Sequence, residues 1–165
     1  MPALTSLDIN AGNTRTSKAT FQALAQAPTL SNLKFLKLKE CSMNIADLRL
    51  LLRNQVQNLT TLDFWFLRLQ NSSIHLLQSL LRDLRVAAAT CQLSYLHVQW
   101  IRLDDGYVDF PALRAQDKAY GADSTDTEFE DWIFVIYEDC VELSGKSEII
   151  EGLDRMIESV RMRRR

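Results

Sequence analysis

The sequence predicts an α/β fold: a short solenoid with a parallel sheet on one face, helices on the other, and a strand–helix cap at the C-terminal end. Three observations carry this. A Leu-x-x-Leu-x-hydrophobic unit occurs four times, as Leu4-Thr-Ser-Leu7-Asp-Ile9, Leu33-Lys-Phe-Leu36-Lys-Leu38, Leu59-Thr-Thr-Leu62-Asp-Phe64 and Leu93-Ser-Tyr-Leu96-His-Val98. The starts lie 29, 26 and 34 residues apart, a period that fits one strand and one return segment per repeat. Between the units run stretches whose apolar residues recur at helical spacing.

Each strand follows from period-two alternation. The second and third apolar residues of a unit point to the core, and the first packs where the strand begins. Burying one such side chain contributes roughly 1.5–3 kcal/mol. A slip of one residue would turn Lys37 inward, so the register is specified. After the first strand, Thr16 or Ser17 can cap a helix carrying Phe21 and Leu24 and ending near Pro28. After the second, Asn44 precedes Ile45, Leu48, Leu51, Leu52 and Val56, one face of a helix. After the third, Asn71-Ser-Ser precedes Ile74, Leu77, Leu80, Leu81 and Leu84, again one face. Strand, turn, helix and return give a right-handed parallel stack.

The fourth unit departs from this pattern. Its strand, from Leu93 to about Leu103, leads to Asp104-Asp105-Gly106 and an acidic stretch with a short helix around Leu113–Tyr120. Three segments result: a repeat domain over 1–103, an acidic loop or insert over 104–131, and a strand–helix cap over 132–165 packed on the same domain. In the cap, Trp132-Ile-Phe-Val-Ile-Tyr137 reads as a strand. Ser147 is expected to cap a helix carrying Ile149, Ile150, Leu153, Met156, Ile157 and Val160. Arg161, Arg163, Arg164 and Arg165 would then suit the helix C-terminus.

The overall charge of −2 conceals an asymmetry. Residues 1–103 hold 11 Lys+Arg against 5 Asp+Glu, a net of +6, and residues 104–165 hold 8 against 16, a net of −8. The two ends can attract each other or face separate partners. No apolar run approaches the ~18–20 residues that span a bilayer, and the first residues lack the basic and apolar regions of a signal peptide. A cytoplasmic or nuclear setting is expected, without membrane association. Cys41, Cys91 and Cys140 are odd in number and lack metal-type spacing, so reduced and mostly buried thiols are expected.

The second unit extends as Leu33-Lys-Phe-Leu36-Lys-Leu38-Lys-Glu-Cys41-Ser-Met-Asn-Ile45-Ala-Asp47-Leu48. It resembles the cysteine-containing type of leucine-rich repeat, and its continuation into Asn58-Leu-Thr-Thr-Leu-Asp63 is similar to the C-terminal half of fungal F-box proteins. The resemblance covers about residues 4–103. Only Cys41 matches the family's Cys/Asn position; Gly12, Leu67 and Ile101 stand there in the other units. No segment resembles the F-box itself. The resemblance therefore implies a substrate-recognition half, with target selection for ubiquitination as its role and the ligase-docking half missing. The first strand starts at Leu4 with almost nothing ahead of it, which predicts that residues upstream are missing, that the first repeat is frayed, or that another chain covers the uncapped N-terminal edge, self-association there being one outcome.

Strand positions pointing away from the helices form three expected rows: Ser6, Phe35, Thr61 and Tyr95; Asp8, Lys37, Asp63 and His97; Asn10, Lys39, Trp65 and Gln99. With strands about 4.8 Å apart, the middle row alternates acid, base, acid and imidazole. Such a ladder can simply keep a sheet face solvated. Aromatic residues among charges can equally anchor a partner. Phe35, Lys37, Lys39, Asp63, Trp65, Tyr95, His97 and Gln99 are accordingly the candidate contacts of a protein partner on a concave sheet face. Lys34, Lys37, Lys39 and Phe35 also make a basic–aromatic cluster of the kind that nucleic acid binds, the alternative reading beside a purely structural scaffold. No enzyme is expected: phosphate-loop, zinc-protease, serine-hydrolase and dinucleotide motifs are absent. Asp63 and His97 form a pair, but Cys41 reads as structural and Cys91 precedes its strand. Neither a cofactor nor a metal site is expected from two histidines and three dispersed cysteines.

Overall fold

In the computed structural model, the structure describes residues 4–12, 18–27, 32–113 and 140–163. The fold is mixed α/β with a mostly parallel sheet. Strands β1 (Ser6–Asn10), β2 (Phe35–Lys39), β4 (Thr61–Gln70) and β5 (Tyr95–Leu103) lie side by side, all parallel. Between consecutive members of this set run α1 (Lys18–Gln26), α2 (Ile45–Gln55) and α3 (Ile74–Thr90), with the short β3 (Ser42–Asn44) pairing parallel to the end of β4. On the far side of β5 the direction reverses. Strands β6 (Gly106–Asp109) and β7 (Cys140–Ser144) both pair antiparallel to β5. Helix α4 (Lys146–Ser159) follows β7, and β8 (Arg161–Met162) closes antiparallel on β6.

The leucine spacing explains the core. Leu36, Leu38, Leu62, Phe64, Leu96 and Val98 are buried, as are the leading leucines Leu33, Leu59 and Leu93. The first unit is looser: Leu7 and Ile9 are half-buried, and Leu4 is exposed. Leu48 and Leu52 of α2, Leu77 and Leu80 of α3, and Phe64 and Val98 of the sheet line one internal void of about 20 Å³, so both helices cover the same sheet face. Asn44 and Ser73 cap α2 and α3, their side chains accepting from Ala46 N and Leu76 N. Those contacts satisfy N–H groups that a helix start leaves open. Among the described residues no helix is long and apolar enough to cross a membrane.

One feature recurs in each later unit. Glu40, Phe66 and Trp100 each stand two residues after the unit's third apolar residue, and each has a left-handed backbone, with φ of 52°, 52° and 58°. The kink shifts the side-chain alternation by one residue. Leu38, Phe64 and Val98 face the core before it; Cys41, Leu67 and Ile101 face the core after it. This is why the second unit reads Leu-x-x-Leu-x-Leu-x-x-Cys rather than a strict alternation, with Leu67 and Ile101 at the corresponding place in the next two units. Cys41 then uses its thiol on the backbone, donating to Lys39 O at 3.2 Å, with Ile9 O of the neighbouring strand at 3.7 Å.

Several expectations change. Helix α4 starts at Lys146 after Gly145, whose φ is +84°, and no side chain caps it; Ser147 lies inside the first turn. Ser144 N instead donates to Glu148 Oε2 at 3.3 Å. Arg161 does not end the helix but enters β8, where its Nε donates to the buried Asp109 at 3.2 Å. The acidic segment is not all loop, because Gly106–Asp109 forms β6. Thr16, Ser17, Pro28, the acidic stretch from 114, the expected Leu113–Tyr120 helix beyond Leu113, the Trp132–Tyr137 strand and the last two arginines lie outside the described residues.

Candidate functional site: the outward face of the sheet

The three rows form in the expected register. Ser6, Phe35, Thr61 and Tyr95 are successive partners; so are Asp8, Lys37, Asp63 and His97; so are Asn10, Lys39, Trp65 and Gln99. Strand β7 extends each row by one residue the sequence reading had not placed: Ser144 beside Tyr95, Glu142 beside His97, and Cys140 beside Gln99. Its alternation, Val141 and Leu143 buried against Glu142 and Ser144 exposed, puts Cys140 on the outward side.

The middle row is a connected polar chain. Lys37 Nζ lies 3.0 Å from Asp63 Oδ2, and Asp63 Oδ1 lies 2.6 Å from His97 Nδ1. A carboxylate oxygen at that distance calls for a proton on Nδ1, which leaves Nε2 to its other neighbour. That neighbour is the Cys140 thiol, with Sγ 3.3 Å from Nε2. The ring is further held by Trp65, whose centroid lies 5.3 Å away. Asp63, His97 and Gln99 are buried, with His97 only 5% exposed. Desolvation makes each hydrogen bond in this chain costly to leave unmade. Both carboxylate oxygens of Asp63 and both ring nitrogens of His97 are occupied.

Around this chain lie groups that reach solvent. Phe35, Lys37, Lys39, Trp65 and Tyr95 are all half-buried. Lys37 and Lys39 sit over the Trp65 ring, at 5.7 and 5.5 Å from its centroid. Lys39 also lies 3.9 Å from Glu40. Tyr95 donates its hydroxyl to Glu142 at 3.2 Å. Burial, and then the negative charge of Glu142, push the Tyr95 phenol up to about 12.

The sequence reading missed an aromatic ridge beside these rows. Phe66 and Trp100 stack at 5.4 Å, Trp65 meets Phe66 at 6.3 Å, and Tyr107 of β6 meets Trp100 edge-on at 5.6 Å. Phe66 is 42% exposed. Both stacked residues occupy the left-handed kink, which throws their side chains away from the core. The signal was present as two aromatics at the same place in adjacent units, but the leucine pattern treats that place as unconstrained. The other histidine, His75, is exposed at the start of α3.

Of the thiols, Cys41 and Cys91 are buried and Cys140 is half-buried, and among the described residues none forms a disulfide. Burial pushes the Cys41 thiol up to about 11, although its backbone hydrogen bonds work the other way. Among the described residues no group of three or more His, Cys, Asp or Glu side chains is arranged to hold a metal ion. No protein-family model, curated protein or solved structure matches the chain.

Proposed function

We propose that this chain is a protein-recognition module of the leucine-rich-repeat type, taking its partner on the outward sheet face and needing no catalysis to do so. The observation that carries the reading is the Phe66–Trp100 stack. A bulky residue in left-handed backbone costs on the order of 1–3 kcal/mol, which glycine would avoid. Two aromatic side chains nonetheless occupy that conformation on neighbouring strands and project from the core. Strain of this kind gathers at binding sites, and aromatic groups framed by charge are the usual anchors of an interface.

The contact surface is then narrower at one end and wider at the other than the sequence implies. Asp63, His97 and Gln99 support it from within, and Phe35, Lys37, Lys39, Trp65 and Tyr95 meet the partner together with Phe66 and Trp100. The resemblance to F-box proteins suggests a target selected for ubiquitination. A protein is favoured over nucleic acid because Lys37 already pairs with Asp63 and Lys39 stands beside Glu40, leaving the basic cluster partly neutralised for phosphate contact.

The test is affinity capture with the wild-type chain and with Trp65→Ala, Phe66→Gly and Trp100→Ala. Each loss of a central aromatic should weaken capture of the same partner by about 2 kcal/mol or more, roughly thirtyfold. Phe66→Gly should do so without loss of stability, because it relieves the kink. Undiminished capture by all three variants rejects this surface.

A further inference from the structure

We propose that Cys140 is a nucleophilic thiol that accepts an acyl group from a thioester, with His97 as its base and Asp63 as the residue that positions His97. Three strands supply the parts. Strand β4 contributes Asp63, β5 contributes His97, and β7, arriving antiparallel from far along the chain, contributes Cys140. The order of contacts is that of a nucleophile, a base and an orienting acid: Sγ to Nε2 at 3.3 Å, then Nδ1 to Oδ1 at 2.6 Å. This arrangement meets the geometric requirement for activating a weak nucleophile. Lys37 holds the remaining carboxylate oxygen at 3.0 Å, so Asp63 stays aligned. The Trp65 ring, 5.3 Å from the imidazole, restricts its tilt.

The other two thiols are built differently. Cys41 is committed to backbone carbonyls, and Cys91 is buried where α3 ends and accepts from Leu93 N at 3.4 Å. Among the described residues, Cys140 is the thiol that meets an imidazole. The Cys140 sulfur is also the half-buried one of the three, where an electrophile from outside can approach it.

The step balances without an oxidant. His97 Nε2 takes the proton from Sγ as the sulfur attacks the thioester carbonyl carbon. The new Cys140 S–C bond forms and the C–S bond to the departing thiol breaks. Nε2 then returns the proton to that thiol. One thioester is consumed and one is made, on the protein. The result is a modified residue on the recognition face, beside Gln99 and in line with Trp65 and Lys39.

The experiment treats the full chain at pH 7 with S-phenyl thioacetate and locates the acetyl group by mass spectrometry. The expected result is acetylation at Cys140, and not at Cys41 or Cys91, at least about tenfold faster than N-acetylcysteine under the same conditions. His97→Gln should slow it by roughly a hundredfold, the scale of a positioned base. Asp63→Asn, which keeps size and removes charge, should slow it less. Imidazole added to His97→Ala should restore part of the rate, a response that a merely structural histidine would not give. Acetylation of Cys140 no faster than N-acetylcysteine overturns the proposal, and that comparison needs no variant to fold. An unchanged rate in His97→Gln overturns it as well.

Discussion

The two flanks of the sheet are built on opposite plans. On the N-terminal flank, β1 repeats the unit that follows it, in parallel register, with Asp8 beside Lys37 and Ile9 beside Leu38. Its packing is thin: Leu7 and Ile9 are half-buried and Leu4 is exposed. On the C-terminal flank, β7 repeats nothing. It runs antiparallel, yet Val141 and Leu143 are buried and α4 behind it buries Ile149, Leu153 and Met156 completely. The copy of the repeat is the weaker wall, and the foreign piece is the stronger one. A repeat unit buries its apolar face only when a neighbour covers it on each side, and β1 has a neighbour on one side among the described residues. The C-terminal flank brings its own helix.

The largest effects should follow this difference. Leu143→Ala on β7 should cost about 2–5 kcal/mol, the range for a fully packed leucine. Leu7→Ala on β1 should cost less than half as much, since the side chain is already partly in water. Urea unfolding midpoints of the two variants measure this directly. Equal losses would mean that β1 is locked into the core as firmly as β7.

A smaller effect tests how the strong flank is assembled. Gly152 of α4 faces β7, and a methyl group added there would overlap the side chain of Leu143. In an open helix, Gly→Ala would be favourable by about 1 kcal/mol. Here overpacking should reverse the sign, giving a net loss of about 1–3 kcal/mol. The same variant should slow acetylation of Cys140, because pushing α4 away moves β7 relative to His97. Stabilisation by Gly152→Ala would show that Leu143 can turn aside freely.

How much of this could be read beforehand follows the same division. Period-two alternation and a recurring leucine spacing are local, so the four parallel strands, their register and the three outward rows were legible. Asp63 beside His97 came directly from that register. What stayed hidden was set by contacts between distant residues. Cys140 reaches His97 only because the chain returns antiparallel after a long excursion, and no local pattern encodes that partner. The burial of Asp63 and His97 was also missed: as outward residues on an open face they read as a solvated pair, whereas Trp65 and the neighbouring strands close over them. Phe66 and Trp100 were overlooked for a backbone reason. A strict alternation gives their position no direction, and only the left-handed kink turns both rings outward.

The gentlest comparison of the flanks is by pH, because each carries one group whose proton is held more tightly in the fold. On the N-terminal flank burial raises the Cys41 thiol from its ordinary 9.0 to about 11. On the C-terminal flank burial and the Glu142 carboxylate raise the Tyr95 phenol from 10.0 to about 12. In both cases the unfolded chain loses its proton first as pH rises, so the unfolded state binds fewer protons and stability falls with pH. Both contributions are fully present below the unfolded values and are lost on rising through the folded ones. The urea midpoint should therefore show no dependence on these two groups below about pH 8 and a decline between about 9 and 12. Cys41→Ala should remove the earlier part of the slope, beginning near 9, and Tyr95→Phe the later part, beginning near 10; slopes are compared rather than heights, since each variant also changes packing. Tyr95 is the more exposed of the two, so its share of the slope should be the smaller through solvent screening. If Tyr95→Phe ran parallel to the wild type from pH 10 upward, the phenol would be exchanging its proton with solvent as freely as in the unfolded chain, and the Tyr95–Glu142 contact that ties β7 to β5 would contribute nothing in solution.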